Sequence, residues 1–460
     1  MATFIELSSQ DAPRSMKTFI PGEQVELSGM VYNTRVTKWG GFIILRKPEG
    51  LMQIVVQNDD IEIFNENGEL VSLNSLSRES AISVIGTVNA AKIKDSASAN
   101  KDIEVVAKKI QIISSPNTTE LIDQNSIQFE GEASLAFKLD HRQVTLRNPR
   151  DMAIFRINAV IVKSFTDFLT SNGFTQIFSP KIVAEGAEGG ANVFSMDYFG
   201  KQVYLAQSPQ FYKQIGVGVF ERVFEIAPAY RAEKHNTSRH LNEYISLDVE
   251  MGFIKGQEDV MLLESRLLSH IIERVNIECE HELQYLNAVL PVITNQIPVY
   301  KLSEVHEILA ENYSDRLSAD HRGEPDLAPE EEVLICEYAL DKFGSDFVFV
   351  THFPSSHRAF YAMDDPSDPT LTISYDLLMR GREITSGGQR IHEEIQYIEK
   401  MKKRGMNPDN FKFYLETFRN GMPPHGGFAI GLERIMSGFL GISNIKEVSL
   451  FPRDINRVTP

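Results

Sequence analysis

Between residues 20 and 115 the chain alternates short apolar runs with polar breaks. GEQVELSGMVYNT, GGFIILRK, LMQIVVQ, AISVIGTVNAA and IEVVAKKIQIIS are rich in β-branched residues and are bounded by Gly, Pro, Asn or Asp. Such runs read as strands, because a period of two sends alternate side chains to opposite faces. About five strands in so short a stretch suit a small closed barrel. The spacing allows one short helix, around residues 58–66. Barrels of this kind often bind single-stranded nucleic acid, and a purely structural β-domain is the competing reading.

The pattern then changes. Residues 116–145 read as a polar connector. From Asn148 a helical period sets in, with Ile154, Ile157, Val160, Ile161, Phe165 and Phe168 on one stripe and Gly173 closing it. Beyond it strands and helices alternate irregularly. The runs KQVYLAQ, RVFEIAPAYRA and EYISLDVEMGF predict an α+β arrangement around a mainly antiparallel sheet. A chain of 460 residues is long enough for two or three domains.

Composition narrows the function classes. With 42% hydrophobic and 24% charged residues the chain is an ordinary globular one. Its two cysteines, Cys279 and Cys336, are too far apart to suggest a disulfide framework or a zinc site. No run approaches the ~20 apolar residues of a membrane span. With so few cysteines a reducing, cytoplasmic setting is expected, and the opening MATFIELSSQDAPRS lacks the cationic and apolar pattern of a leader. The net charge of −17 argues against a general polyanion binder. Residues 1–115 hold 12 Lys/Arg against 14 Asp/Glu, so most of the excess acid lies further on. Any nucleic-acid contact must rest on local patches.

Four stretches carry chemistry. Residues 223–253, VFEIAPAYRAEKHNTSRHLNEYISLDVEMGF, read strand, loop, strand. They crowd Arg231, Glu233, Arg239, His240, Glu243, Asp248 and Glu250 together, and alternation sets the strand charges opposite Ile245, Leu247 and Val249. A planar guanidinium grips phosphate through two parallel bonds; a solvated charged hairpin is the alternative. Residues 423–454, PPHGGFAIGLERIMSGFLGISNIKEVSLFPRD, set Gly426, Gly427 and Gly431 before a helix with Arg434 in its first turn. A buried arginine there needs an anion, either a phosphate or a structural carboxylate. In SYDLLMRGREITSGGQRI, residues 374–391, Asp376, Glu383 and Ser386 are hard oxygen donors suited to Mg²⁺, and Arg390 is spaced to clamp a carboxylate. EGAEGGANVF and LAQSPQFYKQ join a Gly-rich loop to Ser208, Gln210 and Lys213. No GxxxxGK[ST] loop occurs, so an ATP site needs another design.

Taken in order, these stretches resemble class II aminoacyl-tRNA synthetases over about residues 20–460. The long helix running into FTQIFSPKI, with Pro180, is similar to motif 1, YRAEKHNTSRHLNE to motif 2 and GFAIGLERI to motif 3. AEGG, AQSPQFYKQ, AEKHNTSRHLNE, REITSGGQRIH and PPHGGFAIGLER resemble the archaeal/eukaryotic-like (type 2) aspartate–tRNA ligases. The interval from Glu250 to His425 is too short for the insertion of bacterial-type enzymes. The resemblance implies an all-β OB-fold barrel for the anticodon in residues 1–115, a hinge in 116–145, and an α+β catalytic domain with an antiparallel sheet in 146–460. It implies ATP, Mg²⁺, L-aspartate and tRNA(Asp) as ligands, leaves tRNA(Asn) open as a second acceptor, and implies a cytoplasmic homodimer.

Roles carry over position by position. By resemblance Lys213 and Arg390 bind the aspartate side chain, Asp248 and Gln210 the α-ammonium, with Ser208 and Ser386 beside them and Glu188 on the closing loop. Arg231 bridges the α-phosphate and the reacting carboxylate, Glu233 meets the adenine amino group, and Tyr244 stacks on the ring. Arg239, Leu241 and Gly431 complete the ATP set, His240 and Arg434 hold the γ-phosphate, and Asp376, Glu383 and Ser386 match the Mg²⁺ ligands. In the barrel, Phe42 and Gln53 match the pair that reads the anticodon, with Arg35 and Glu104 as neighbours. The sequence departs from the family in THFPSSHRAFYAMDD, where His352, His357 and Ala359 replace an acid, a variable residue and a proline; the two histidines read as surface or packing residues. Three rivals stand beside this reading. An asparagine–tRNA ligase lacks a lysine at the place of Lys213 and favours glutamate at that of Asp248. An asparagine synthetase of the same fold lacks the barrel. A non-catalytic tRNA-binding paralogue would have lost Arg231, Arg434 or the metal ligands.

Overall fold

The computed structural model describes residues 19–57, 61–94, 98, 100–117, 134–184, 186, 193–294 and 296–460. These fall into two compact units, one within Met1–Ala133 with Arg147–Asp151, the other within Ser134–Leu146 with Met152–Pro460.

The first unit is the barrel. Its strands are β1 (Gln24–Thr37), β2 (Gly40–Lys47), β3 (Gly50–Gln57), the short β4 (Glu62–Phe64), β5 (Ala81–Ala90) and β6 (Ile103–Ser114). The order β3-β2-β1-β5-β6 closes where Ile54 and Val55 of β3 pair in parallel with Val105 and Val106 of β6. Closure removes the free edges that would otherwise recruit other chains. Alternate residues fill the interior: Ile43, Leu45, Ile54, Val56, Ile82, Val84, Val105 and Ile110 are all fully buried. One expectation is corrected. Glu62–Phe64 is a strand, paired in parallel with Lys109–Gln111, and residues 58–60 lie outside the described set. So short a stretch cannot pay the nucleation cost of a helix in isolation. Burying Ile63 while bonding to an open side of β6 gains more.

The second unit begins inside the stretch read as connector. Two short helices, α1 (Leu135–Asp140) and α2 (Arg142–Thr145), occupy its end. Ser134 Oγ caps α1 by accepting from Phe137 N at 3.2 Å. Buried Arg142 donates to the carbonyls of Glu447 (3.0 Å) and Ser449 (2.8 Å). Then comes the long helix α3 (Pro149–Ser171). Ile154, Ile157, Ile161 and Phe165 of its predicted stripe are fully buried, with Val160 and Phe168 half-buried at the margin.

An eight-stranded sheet follows: β7 (Thr175–Gln176), β8 (Arg222–Tyr230), β9 (Glu243–Gly252), β10 (Val299–Lys301), β11 (Phe347–Thr351), β12 (Ser374–Met379), β13 (Arg382–Gln389) and β14 (His425–Gly431). Its order is β10-β11-β12-β13-β14-β9-β8-β7, antiparallel except for the two end pairs. The flanking helices that matter for the site are α4 (Gln210–Phe220), α5 (Gln257–Glu278), α6 (Pro329–Phe343) and α7 (Leu432–Leu440). Leu247 and Val249 of β9 and Phe428 and Ile430 of β14 join α3 and α5 in one hydrophobic cluster. The strand period therefore sends Ser246, Asp248 and Glu250 the other way, towards the site. Among the described residues no helix is long and apolar enough to cross a membrane.

Candidate active site

A cavity of ≈ 520 Å³ opens on the polar face of this sheet. One end is a buried charge cluster. Helix α4 follows the run SPQFYKQ and sets Gln210, Lys213 and Gln214 on its inner side, all essentially without solvent contact. Lys213 Nζ lies 3.1 Å from Asp248 and 3.4 Å from Glu250. Arg390, at the end of β13, pairs with Glu250 at 3.0 Å and donates to the Gly427 carbonyl at 2.9 Å. Ser246 Oγ donates to the other oxygen of Asp248 at 2.6 Å. Burial would push the Glu250 carboxyl up, but Arg390 and Lys213 outweigh it and hold it below the usual carboxylate range. Gly427 is dictated by this packing: a Cβ there would sit 2.1 Å from the Val249 carbonyl and 2.3 Å from the Glu250 carboxylate. Behind the cluster, Gln214 binds Gln210, Tyr397, Tyr414 and His425 in one buried network. Burial pushes the His425 imidazole down to about 4, so it is neutral at pH 7.

The other end is more open. The β8–β9 loop carries Arg231, Glu233, Arg239 and His240, all lining the cavity with Leu241 and Tyr244. Asn242 organises this loop: its side chain donates to the carbonyls of Arg231 (2.9 Å) and Glu233 (3.1 Å). The Arg231 guanidinium lies 5.6 Å from the Tyr244 ring centroid, within cation–π range. His240 Nδ1 is engaged by Thr237 Oγ1 at 2.6 Å, and burial with the nearby Arg434 lowers its pKa. Arg239 pairs with Glu332 of α6 at 2.9 Å. Gly431 ends β14, and Arg434 in the first turn of α7 pairs with Glu383 at 3.1 Å.

Between the two ends lie the oxygen donors. Glu383 and Ser386 line the cavity. Burial would raise the Glu383 carboxyl, and Arg434, Arg358 and Arg231 together hold it down. Asp376, on β12 opposite Ser386, is buried behind them. Arg358 pairs with it at 2.5 Å and reaches Ser386 Oγ at 3.3 Å. Burial nevertheless pushes Asp376 up to about 6. Its Oδ1 is buried with no hydrogen-bond partner. No group of three or more His, Cys, Asp or Glu side chains is clustered to hold a metal among the described residues. A hard cation bound here would complete its shell from ligand oxygens and water.

On the barrel, Arg35 and Phe42 are cross-strand partners in β1 and β2. Phe42 is half-buried and Arg35 exposed. Gln53 donates to Glu104 at 2.8 Å. The four residues therefore lie on three adjacent strands and the strand that closes the barrel, with Phe42 outside the fully buried interior.

This arrangement can be set beside known proteins. The profile of the tRNA synthetases class II (D, K and N) matches residues 134–455. The chain is 42% identical over 450 residues to the aspartate–tRNA(Asp/Asn) ligase of Thermus thermophilus, covering 97% of this chain and 99% of the relative. It is 38% identical over 442 residues to the aspartate–tRNA(Asp) ligase of Pyrococcus horikoshii, covering 95% and 97%. Among solved structures, the asparaginyl-tRNA synthetase of Pyrococcus horikoshii with asparaginyl-adenylate superposes with a TM-score of 0.82 at 28% identity, over 96% of this chain and 97% of that one. The aspartyl-tRNA synthetase of Entamoeba histolytica gives 0.78 at 30%, over 96% and 90%.

The chain belongs to the class II aspartate–tRNA ligase family.

As a class II synthetase it has its three motif regions where the sequence placed them: α3 and the strand after it, the β8–β9 hairpin, and β14 with α7. Ser208, Gln210, Lys213, Ser386 and Arg390 line one part of the cavity, and Arg231, Glu233, Arg239, His240, Leu241, Tyr244, Glu383, Gly431 and Arg434 the rest. Asp248 and Asp376 sit just behind, each ion-paired to a lining cation. Glu188 lies outside the described residues. Three residues of this synthetase site went unassigned in the sequence. Glu250 bridges both buried cations, and its place two residues after Asp248 on the same strand face was the available signal. Arg358 sits in the segment that departs from the family pattern, which hid it. Glu332 comes from a helix about ninety residues after Arg239, and nothing in the sequence joins the two. Of the two histidines there, His352 pairs weakly with Asp365 at 3.6 Å, and exposed His357 lies at the cavity mouth.

Proposed function

We propose that this ligase activates L-aspartate with ATP and transfers it to tRNA(Asp), using the residues just placed in the roles the resemblance implies. The carrying observation is the buried pair Lys213 and Arg390, which opens onto the same cavity as the arginines Arg231 and Arg434. A β-carboxylate can join this cluster and share both cations. With Asp248 engaged by the substrate's α-ammonium, the neutral amide of asparagine would leave one buried cation short of a counter-charge, which is a large penalty in so buried a site. Lys213 and Asp248 therefore speak for aspartate over asparagine, although solved structures of both kinds share the fold. Asp248 and Gln210 supply acceptors for the α-ammonium.

In the first step the aspartate α-carboxylate attacks the α-phosphorus of ATP, the bond to the β-phosphate oxygen breaks, and pyrophosphate leaves. Arg231 stabilises charge developing on the α-phosphate, and Arg434 and His240 hold the γ-phosphate. In the second step a ribose hydroxyl of the tRNA 3′-adenosine attacks the mixed anhydride and AMP leaves. No protein nucleophile is needed; positioning and electrostatics carry the reaction. Glu383, Ser386 and the unpartnered Oδ1 of Asp376 are the donor set that would hold Mg²⁺, which neutralises phosphate charge when bound. The barrel, within residues 1–115, is the anticodon module of this reading, with Phe42 stacking a base and Gln53 reading a base edge. A homodimer built on the motif 1 region is supported by Phe178 and Ile182, 82% and 44% exposed on either side of Pro180. A cytoplasmic site of action follows from the same reading.

The test is aminoacylation with radiolabelled aspartate on tRNA(Asp) and tRNA(Asn) transcripts in parallel, with pyrophosphate exchange alongside. Charging of tRNA(Asp) alone makes a discriminating ligase, and charging of both a non-discriminating one. Charging of neither, with exchange also absent, overturns the proposal.

A further inference from the structure

We propose that Trp39, at the tip of the β1–β2 hairpin, is a second stacking platform for an unpaired tRNA base, beside Phe42. The inference rests on the reading of the barrel as the tRNA module and extends it to a residue to which no role has yet been given. Trp39 is the only tryptophan in the chain and stands 49% exposed. Its ring meets Phe42 edge to face, with centroids 5.3 Å apart and planes at 86°. An aromatic held that way keeps surface available to a nucleobase, while its position is fixed by a neighbour.

The hairpin beneath it is tightly packed. Gly40, directly after Trp39, has φ +142°, and a Cβ there would sit 1.9 Å from the Val56 carbonyl of β3. At Gly41 a Cβ would sit 2.2 Å from the Arg35 carbonyl. A side chain at either position would meet backbone, so only glycine lets the strands approach this closely beneath the tip. The surroundings have the chemistry of a nucleic-acid surface. Exposed Arg35 and Lys38 flank the ring along the hairpin, and Val36, opposite Gly41, is 48% exposed. Cations that follow a phosphate backbone, interleaved with aromatic faces, form the general design for binding single-stranded nucleic acid, and this loop of such barrels is a usual place for it. The ring is half open, in a chain whose net charge of −17 leaves nucleic-acid contact to local patches such as this one.

Because Trp39 is alone, intrinsic fluorescence of the full-length enzyme reports on it directly. Titration with tRNA(Asp) transcript should quench it saturably, and an acceptor-stem microhelix lacking the anticodon loop should not. Trp39→Leu should raise KM for tRNA about tenfold with kcat nearly unchanged, and Trp39→Phe should recover most of the loss. Thermal melting of each variant checks that the barrel is intact. Fluorescence that ignores tRNA, equal quenching by the microhelix, or a Trp39→Leu KM within about twofold of wild type overturns the inference. If Phe42→Leu raises KM while Trp39→Leu does not, the barrel reading stands and only Trp39 falls. A wild-type enzyme that charges no tRNA overturns both.

Discussion

The two ends of the cavity bind charge in opposite ways. At the end proposed for the amino acid, Lys213, Asp248, Glu250 and Arg390 are almost entirely buried and already compensate one another. At the end proposed for the nucleotide, Arg231, Arg239, His240 and Arg434 sit on a loop and a helix start that are open to solvent, with carboxylates from distant elements beside two of them. A buried cluster is costly to assemble and unforgiving of a misfit, which is what discrimination between a carboxylate and an isosteric amide requires. An open set of arginines is adaptable and suits a ligand with several phosphates. On the proposed roles, specificity and activation are separated along one sheet face.

The largest effect is expected at Lys213. Lys213→Met should reduce aspartate-dependent pyrophosphate exchange by about 10⁴-fold. It should also destabilise the fold, because Asp248 loses its cation in a buried setting, at a cost of roughly 3–5 kcal/mol. Pairing it with Asp248→Asn separates the two effects. The double variant should regain much of the stability, read by urea unfolding, and none of the exchange activity. If the single variant keeps exchange within tenfold of wild type, the buried end is scaffold and not the selector.

The rigid end also has a titratable support on the far face of the sheet. Glu264 of α5 is fully buried and accepts from Tyr375 Oη at 2.8 Å. Burial pushes its carboxyl up to about 7. The folded state thus holds this proton more tightly than the unfolded chain does. Its contribution to stability is complete below the unfolded pKa and is lost as pH rises through the folded value. Between about pH 4.5 and 7 the loss should reach roughly 2–3 kcal/mol. Glu264→Gln, which keeps an acceptor for Tyr375, should flatten that slope and leave the protein more stable at pH 8. Unfolding midpoints against pH for the two proteins provide the check, and parallel curves would remove Glu264 from the account.

Sequence patterning anticipated local structure better than partnership. The barrel strands, the α3 stripe and the two faces of β9 were all readable, because each follows from a period of 2 or 3.6 within one segment. Glu62–Phe64 was not, since its strand exists only by pairing with β6. The end of the connector was not either, since Arg142 is held by carbonyls some three hundred residues away. In the site, residues inside a motif could be named, Glu250 among them though without its role, while those that balance them from elsewhere, Arg358 and Glu332, could not. A polar residue's face can be inferred from its own strand, but its charge partner depends on which strands and helices end up adjacent.

Arg239 gives the smallest effect and the sharpest test of the open end. It pairs with Glu332, whose carboxyl burial pushes up to about 7, with Arg239 opposing the shift. Arg239→Ala should raise KM for ATP about tenfold, the loss of one charge-assisted contact, and leave KM for aspartate alone. It should barely change stability, since the pair is partly exposed. Glu332→Gln should act in the opposite sense. As pH rises through about 7 the wild-type Glu332 becomes charged and competes with phosphate for Arg239, so KM for ATP should climb. In Glu332→Gln that climb should vanish and KM at pH 8 should fall below the wild-type value. Measuring KM for both substrates from pH 6 to 8 in the three proteins decides it. A rise that survives the substitution would mean that Glu332 merely seats the loop, and that the open end is as fixed as the buried one.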